Sequence, residues 1–238
     1  MPNHYFQFKQ FTVWQEHVAM KVCTDACLYG AWLASQIQDQ KGISNCLDIG
    51  TGTGLLSLIL AQKTAAKIDG IELEPAAAQQ AKENFAASPF ANRLTLVQSD
   101  INQWQTEQRY QLVFSNPPFY EHDLASPDAN RNLALHSSAL TLEALFQAMH
   151  RLVESSGQIS MILPYHRREA AINYALALGW HLNEEASIYQ TEKHKAFRSF
   201  LLFSQTAKTP FAHEIIIKQN GVYSEAFTAL LKDYYLAF

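Results

Sequence analysis

From Asn45 onward the chain alternates short apolar runs with longer segments of helical periodicity, and this alternation narrows the possible folds more than any other feature. NCLDIG (45–50) reads as a strand, TGLLSLILAQK (53–63) as a helix and AKIDGIEL (66–73) as a strand. EPAAAQQAKENFAA (74–87) reads as an Ala-rich helix with Pro75 near its start, and RLTLVQSD (93–100) as a third strand. QLVFSN (111–116) is the fourth strand, LTLEALFQAMHRLVE (140–154) has helical periodicity, and GQISMILP (157–164) is the fifth strand. HRREAAINYALALG (166–179) predicts a helix ending at Gly179, followed by two β-rich runs, WHLNEEASIYQT (180–191) and AFRSFLLFSQ (196–205). Strand–helix alternation of this kind gives an α/β fold with a parallel sheet, and the near-continuous apolar strands predict helices on both faces.

The first 44 residues differ. FQFKQFTVWQ is aromatic and strand-like, and DACLYGAWLASQIQ is helix-like, so residues 1–44 are expected to pack as an extension on a single 1–238 domain. A chain of 238 residues can bury a core without disulfides or metals. Cys23, Cys27 and Cys46 form an odd set with no Cys pair or His cluster at metal spacing, so neither a disulfide framework nor a metal site is expected. No apolar run reaches the roughly 18 residues of a membrane span, and MPNHYFQFKQF has neither the basic start nor the apolar stretch of a signal peptide. The expected location is the cytoplasm. Eighteen Lys and Arg against 22 Asp and Glu leave a formal charge of -4, so a polyanionic partner would need a local basic patch.

LDIGTGTGLLSL (47–58) is the strongest local signal. Gly50, Gly52 and Gly54 end a strand and open a helix, a place where backbone must turn sharply and approach a ligand closely. The spacing departs from the dinucleotide pattern, and Asp48 precedes the first glycine, which suits a ligand with a cationic end better than a pyrophosphate. Glu72 lies about 20 residues beyond the glycine run, where such folds set a carboxylate on ribose hydroxyls. Asp100 ends the third strand and can accept from an adenine amine. Each acid singly fits a solvated strand end. Together they imply an adenosine with a positive tail, bound at the carboxyl edge of the sheet.

The fourth strand runs into NPPF (116–119), where Asn116 presents an amide and Pro117 and Pro118 fix the directions of their carbonyls beside the ring of Phe119. Phe119 fits a plug for the core as well as a plate for a ligand, and Tyr120 shares that ambiguity. Residues 121–139 are polar and long for a connection, which is the character of a functional loop.

DIGTGTG, GIELEP, SD and NPPF, in this order, resemble the class I S-adenosylmethionine-dependent amino-methyltransferases. MKVCTDACLYGAW (20–32), NPPFY and the ending FTALLKDYYLAF extend the resemblance, over essentially the whole chain, to the bacterial valine-tRNA adenine N6-methyltransferase family, whose target adenine adjoins the anticodon. The resemblance implies a seven-stranded, mostly parallel sheet with an antiparallel C-terminal strand pair. It implies S-adenosylmethionine as cofactor and a tRNA as substrate. Thr24 and Asp25 match the family's TDA element and would line the cofactor pocket, although a helix N-cap explains the same pair. Asn116 and the Pro117 carbonyl would take the two hydrogens of the amine, and Phe119 would stack on the base.

The sequence offers scattered cations for RNA: Lys21, Arg131 in the long loop, His166, Arg167 and Arg168 after Pro164, and Lys193, Lys195 and Arg198 before the last β-rich run. Phe6, Phe8, Phe11 and Trp14 could stack bases or fill the core. Three rival functions share parts of this pattern. Protein-glutamine methyltransferases usually carry Tyr at the position of Phe119 and a helical N-terminal domain, and guanine-amine enzymes of ribosomal RNA commonly carry a duplicated domain. A non-catalytic RNA module would show a damaged NPPF motif, and here it is whole.

Overall fold

The computed structural model describes residues 3–18, 20–117 and 140–238. Its elements follow the alternation of the sequence. A short hairpin of β1 (Tyr5–Gln7) and β2 (Thr12–Trp14) leads to α1 (Thr24–Ile37). Then come β3 (Asn45–Ile49), α2 (Leu55–Lys63), β4 (Lys67–Glu72), α3 (Pro75–Ala87), β5 (Leu94–Gln98) and β6 (Tyr110–Ser115). Beyond residue 140 lie α4 (Leu142–Leu152), β7 (Val153–Pro164), a 3-10 turn (Tyr165–Arg167), α5 (Arg168–Ala177), β8 (His181–Thr191) and β9 (Ala196–Ser204). The chain closes with β10 (Phe211–Gln219), β11 (Val222–Tyr223) and α6 (Glu225–Leu231).

One nine-stranded sheet runs in the order β11-β10-β8-β9-β7-β6-β3-β4-β5. Strands β5, β4, β3, β6 and β7 are mutually parallel, and β9 lies antiparallel to both β7 and β8. The expected seven strands are therefore nine: β10 adds in parallel to β8, and β11 folds back on β10 through Asn220 and Gly221, both at positive φ. The chain winds from β3 outward to β5, then returns to β6 on the other side of β3. This reversal opens a crevice at the carboxyl ends of β3 and β6, where open α/β sheets bind ligands.

Period-two alternation divides the core between the two faces of the sheet. Cys46, Phe114, Ile162, Phe200 and Leu202 face a layer containing α1, α2 and α6. Leu47, Val113, Met161, Leu201 and Phe203 face α4 and α5. Local chemistry sets the helix ends. Glu74 caps α3 by accepting from the N–H groups of Ala76 and Ala77, with Pro75 at the first helical position, and Thr141 Oγ1 caps α4 by accepting from Ala144 N. The N-terminal extension belongs to the first layer: Phe8, Phe11 and Val13 are buried there, and Lys9 Nζ donates to the carbonyls of Lys232 and Phe238. Of the four N-terminal aromatics weighed for base stacking, Phe8 and Phe11 are core, Phe6 packs against them, and Trp14 is 43% exposed beside Tyr5.

Candidate active site

The crevice at β3 and β6 is built from backbone. After Ile49 the N–H groups of Gly50 and Thr51 both donate to Ile71 O, 2.8 and 3.1 Å, which folds the glycine loop over the tip of β4. Gly50, Gly52 and Gly54 all have positive φ. A Cβ added at Gly50 or Gly52 would meet no atom within 4 Å, so these two glycines leave open space above the loop. Gly54 serves packing: a Cβ there would stand 2.4 Å from the Phe85 ring of α3.

Asp48 is not an exposed strand-tip acid, and its Oδ1 is buried without a hydrogen-bond partner among the described residues. It sits within β3 on the face covered by α2 and is fully buried. Its Oδ2 accepts from Thr51 Oγ1 at 2.7 Å and Ser57 Oγ at 2.8 Å, tying strand, loop and helix together. Burial pushes its carboxyl up to about 6, against the pull of the two hydroxyls. The side chain shapes the loop from below.

Glu72 does reach the crevice. Half-buried at the end of β4, it accepts from Gly52 N through Oε2 at 2.9 Å and from Glu74 N through Oε1 at 3.0 Å. Two backbone donors hold one carboxylate in place while each oxygen keeps a free lone pair. Asp100 follows β5 and is half-buried; its Oδ1 accepts from Asn102 N at 2.9 Å, and its carbonyl starts the turn to Trp104. On the opposite side of the crevice, Ser115 Oγ donates to Ile49 O at 2.7 Å, pinning the tip of β6 to that of β3. Asn116 is half-buried next to this contact and Pro117 is buried. Pro118, Phe119, Tyr120, Arg131 and the loop 121–139 lie outside the described residues.

α1 brings Thr24 and Asp25 to the same edge. Tyr29 OH donates to Ser160 Oγ in mid-β7, and one turn earlier Asp25 Oδ2 accepts from Arg198 Nε at 2.8 Å, opposite Pro164 at the end of β7. The N-cap residue is Cys23, without a side-chain capping bond, so Thr24 and Asp25 are the first helical residues and the N-cap alternative does not hold. Burial, reinforced by the Asp25 carboxylate, pushes the Cys23 thiol up to about 12; burial does the same at Cys27 and Cys46. None of the three is a thiolate nucleophile at neutral pH. Among the described residues no group of three His, Cys, Asp or Glu could hold a metal ion.

The cations separate into engaged and exposed groups. Arg168 forms a two-pronged pair with the buried Glu185, Nη2 donating to Oε2 at 2.6 Å, and Arg198 is held by Asp25. Arg167 is half-buried in the 3-10 turn, Lys21 Nζ donates to Asn3 O at 3.3 Å, and Lys193 and Lys195 are exposed in the turn before β9. Sequence reasoning missed Asn84, a buried polar residue in an Ala-rich helix. It exchanges hydrogen bonds with the Trp14 backbone and donates from Nδ2 to Thr53 O at 2.8 Å, joining α3, the hairpin and the glycine loop. Gln80 and Asn84, two amides one turn apart on the buried face of an Ala-rich helix, are the signal that marks it.

The sheet and its switch point are those of the class I methyltransferases. A predicted O-methyltransferase from Agrobacterium tumefaciens superposes with a TM-score of 0.65 at 16% identity, covering 86% of this chain and 95% of the other. A glycopeptide N-methyltransferase solved with S-adenosyl-L-methionine gives 0.54 at 10% identity, covering 75% and 88%. Residues 29–195 match the methyltransferase small domain, and the chain belongs to that family. Proteins named tRNA1(Val) (adenine(37)-N6)-methyltransferase are similar over nearly the full length. That of Dyadobacter fermentans is 40% identical over 99% of both chains, that of Parabacteroides distasonis 39% over 99% of both, and that of Klebsiella pneumoniae 39% over 99% of this chain and 96% of its own.

Proposed function

We propose that the chain methylates the N6 amine of the adenine that follows the anticodon in a valine tRNA, with S-adenosylmethionine as donor. One observation carries the reading: Asn116 at the tip of β6 adjoins the glycine loop across a switch point locked by the Ser115–Ile49 hydrogen bond. The full-length similarity to the named relatives supports the acceptor. All 238 residues act as one domain, and the site of action is the cytoplasm; no helix among the described residues is long and apolar enough to cross a membrane.

The crevice fits the cofactor. The open cradle over Gly50 and Gly52 admits backbone-close binding, and the Glu72 carboxylate retains acceptor capacity for vicinal hydroxyls. Asp100 would hold the base and Thr24 and Asp25 would hold the methionine end, while Asp48 and Gly54 keep the loop in shape. Bound there, S-adenosylmethionine supplies an electrophilic methyl group on a sulfonium.

The chain's own task is to make a poor nucleophile competent. The lone pair of an exocyclic adenine amine is delocalised into the ring. Asn116 Oδ1 accepts one amine hydrogen and the Pro117 carbonyl the other, which favours a tetrahedral nitrogen whose lone pair leaves the ring plane. Once the nitrogen has gained its fourth bond, the proton it carries is acidic and passes to water, so no strong general base is required. Phe119 stacks on a base drawn out of its neighbours' stack, a role that rests on the NPPF motif.

Methyl transfer from labelled cofactor into separated tRNA, ribosomal RNA, DNA and protein, followed by nucleoside mass spectrometry, tests the proposal. N6-methyladenosine in one tRNA, lost with Asn116→Ala, is the expected result. Label in a protein glutamine would keep fold and cofactor but replace the acceptor.

A further inference from the structure

A cleft of about 650 Å³ opens at the carboxyl edge of the sheet, one strand beyond Asn116, and no part of the proposed chemistry uses it. Its walls include Tyr165 and His166 of the 3-10 turn, Tyr189 near the end of β8, Lys195 in the turn before β9, and Phe197 and Arg198 at the start of β9. The register locates it: Ser115 is level with Met161 on β7, and β7 continues to Pro164, which pairs with Arg198. Neighbouring strands lie about 5 Å apart and rise about 3.3 Å per residue, so the cleft begins within about 10 Å of Asn116.

Its chemistry is aromatic more than basic. Tyr165 is 39% exposed on the cleft wall. Phe197 carries the Arg198 guanidinium 5.6 Å from its centroid, a cation on a ring face. Two of the arginine charges nearby are matched, Arg168 by Glu185 and Arg198 by Asp25, and Tyr189 OH donates to the Glu214 carboxylate. Lys195 and His166 are the exposed basic side chains on the wall. A surface like this grips unpaired bases through their faces and takes few phosphates, which also accords with a chain of formal charge -4.

We infer that this cleft holds an unpaired nucleobase adjoining the methylated one, stacked on Tyr165, with Lys195 on the neighbouring phosphate. The inference rests on the proposed tRNA activity and assigns it a specificity surface separate from the catalytic motif. It predicts that base stacking outweighs charge in RNA affinity.

The test is steady-state methylation of the purified valine tRNA by the full chain, with cofactor binding measured separately by calorimetry. Tyr165→Ala should raise the KM for tRNA about tenfold while cofactor affinity and melting temperature stay at the wild-type level, and Tyr165→Phe should restore the KM. Lys195→Ala should have a smaller effect and lower the slope of log KM against log salt by about one. Wild-type KM and salt slope in both alanine variants, with tRNA still methylated by the wild type, would overturn the cleft assignment and leave the activity standing. A wild-type protein that methylates no tRNA fails at the earlier step and removes the basis of the inference with it.

Discussion

The two sides of the crevice are built differently. On the cofactor side, β3, β4 and the glycine loop are held by backbone hydrogen bonds and buried polar groups: Gly50 and Thr51 on Ile71, Gly52 on Glu72, Asp48 beneath Thr51 and Ser57, and Asn84 on Thr53. On the acceptor side, β6, β7 and β9 present half-exposed rings and charges whose partners come from distant parts of the chain, such as Arg198 with Asp25 and Arg168 with Glu185. The difference teaches where variation is tolerated. A small molecule common to many enzymes can be bound by geometry that few side chains can replace, whereas an acceptor is chosen by surface groups that can change without disturbing the fold.

The sharpest way to separate the sides is Asn116→Ala. Removing one group that matches the transition state typically costs about 10²–10³ in kcat. We expect a loss of that size in methyl transfer while cofactor affinity, read by calorimetry, changes by less than about tenfold. Equal losses in both would place Asn116 on the cofactor side and erase the division.

Gly54→Ala attacks the other side. The new methyl group would meet Phe85 at 2.4 Å on a backbone at φ +82°, so strain and overpacking add to about 2 kcal/mol or more. The melting temperature should fall by several degrees, with weaker cofactor binding. Pairing it with Phe85→Leu should recover part of the loss, because the ring is the obstacle. Gly52→Ala, with positive φ but open space, should cost less. If the two substitutions proved equal, the packing argument for Gly54 would fail.

Asp48 gives the cofactor side a pH signature. Its carboxyl titrates near 6 in the fold and near 3.8 when unfolded, so between those values the folded chain binds more protons. Stability therefore falls as pH rises from about 4 to about 6 and is level above that, by up to about 3 kcal/mol from this group. Asp48→Asn, which keeps an acceptor for Thr51 and Ser57, should remove that slope from the difference between variant and wild-type unfolding curves. A parallel pair of curves across this window would place the carboxylate in a more polar setting than its burial implies.

Legibility followed the same divide. The strands and helices from Asn45 to Ser204 were readable because period, caps and glycines act locally, as with Pro75 opening α3 and Gly179 closing α5. The turn at Gly50, Gly52 and Gly54 and the place of Glu72 at the end of β4 were legible for that reason. The full burial of Asp48 was not legible, because it depends on Thr51 of the loop and Ser57 of the next helix closing over it. Neither Arg168 nor Arg198 could be sorted from a solvated cation, since their partners lie 17 and 173 residues away. β10 and β11 carried a signal that went unread: Asn220–Gly221 is the sequence of a two-residue hairpin turn, and Gln219 pairs with Val222 across it.

The pair of Asp25 and Arg198 crosses the divide and should show the smallest effect. Asp25 stands in the first turn of α1, beside the proposed methionine end, and Arg198 stands on the wall of the aromatic cleft. Both side chains are partly exposed, 17% and 35%, so the stability at stake is below about 1 kcal/mol. As a shared wall the pair should act on both ligands: Asp25→Asn and Arg198→Lys should each weaken cofactor affinity and tRNA KM by less than about fivefold, and the double variant should lose less than the sum of the two. Additive losses would mean that the residues act alone. A change confined to one ligand would move the boundary between the two sides to the other end of this ion pair, so the cycle locates the wall to within one side chain.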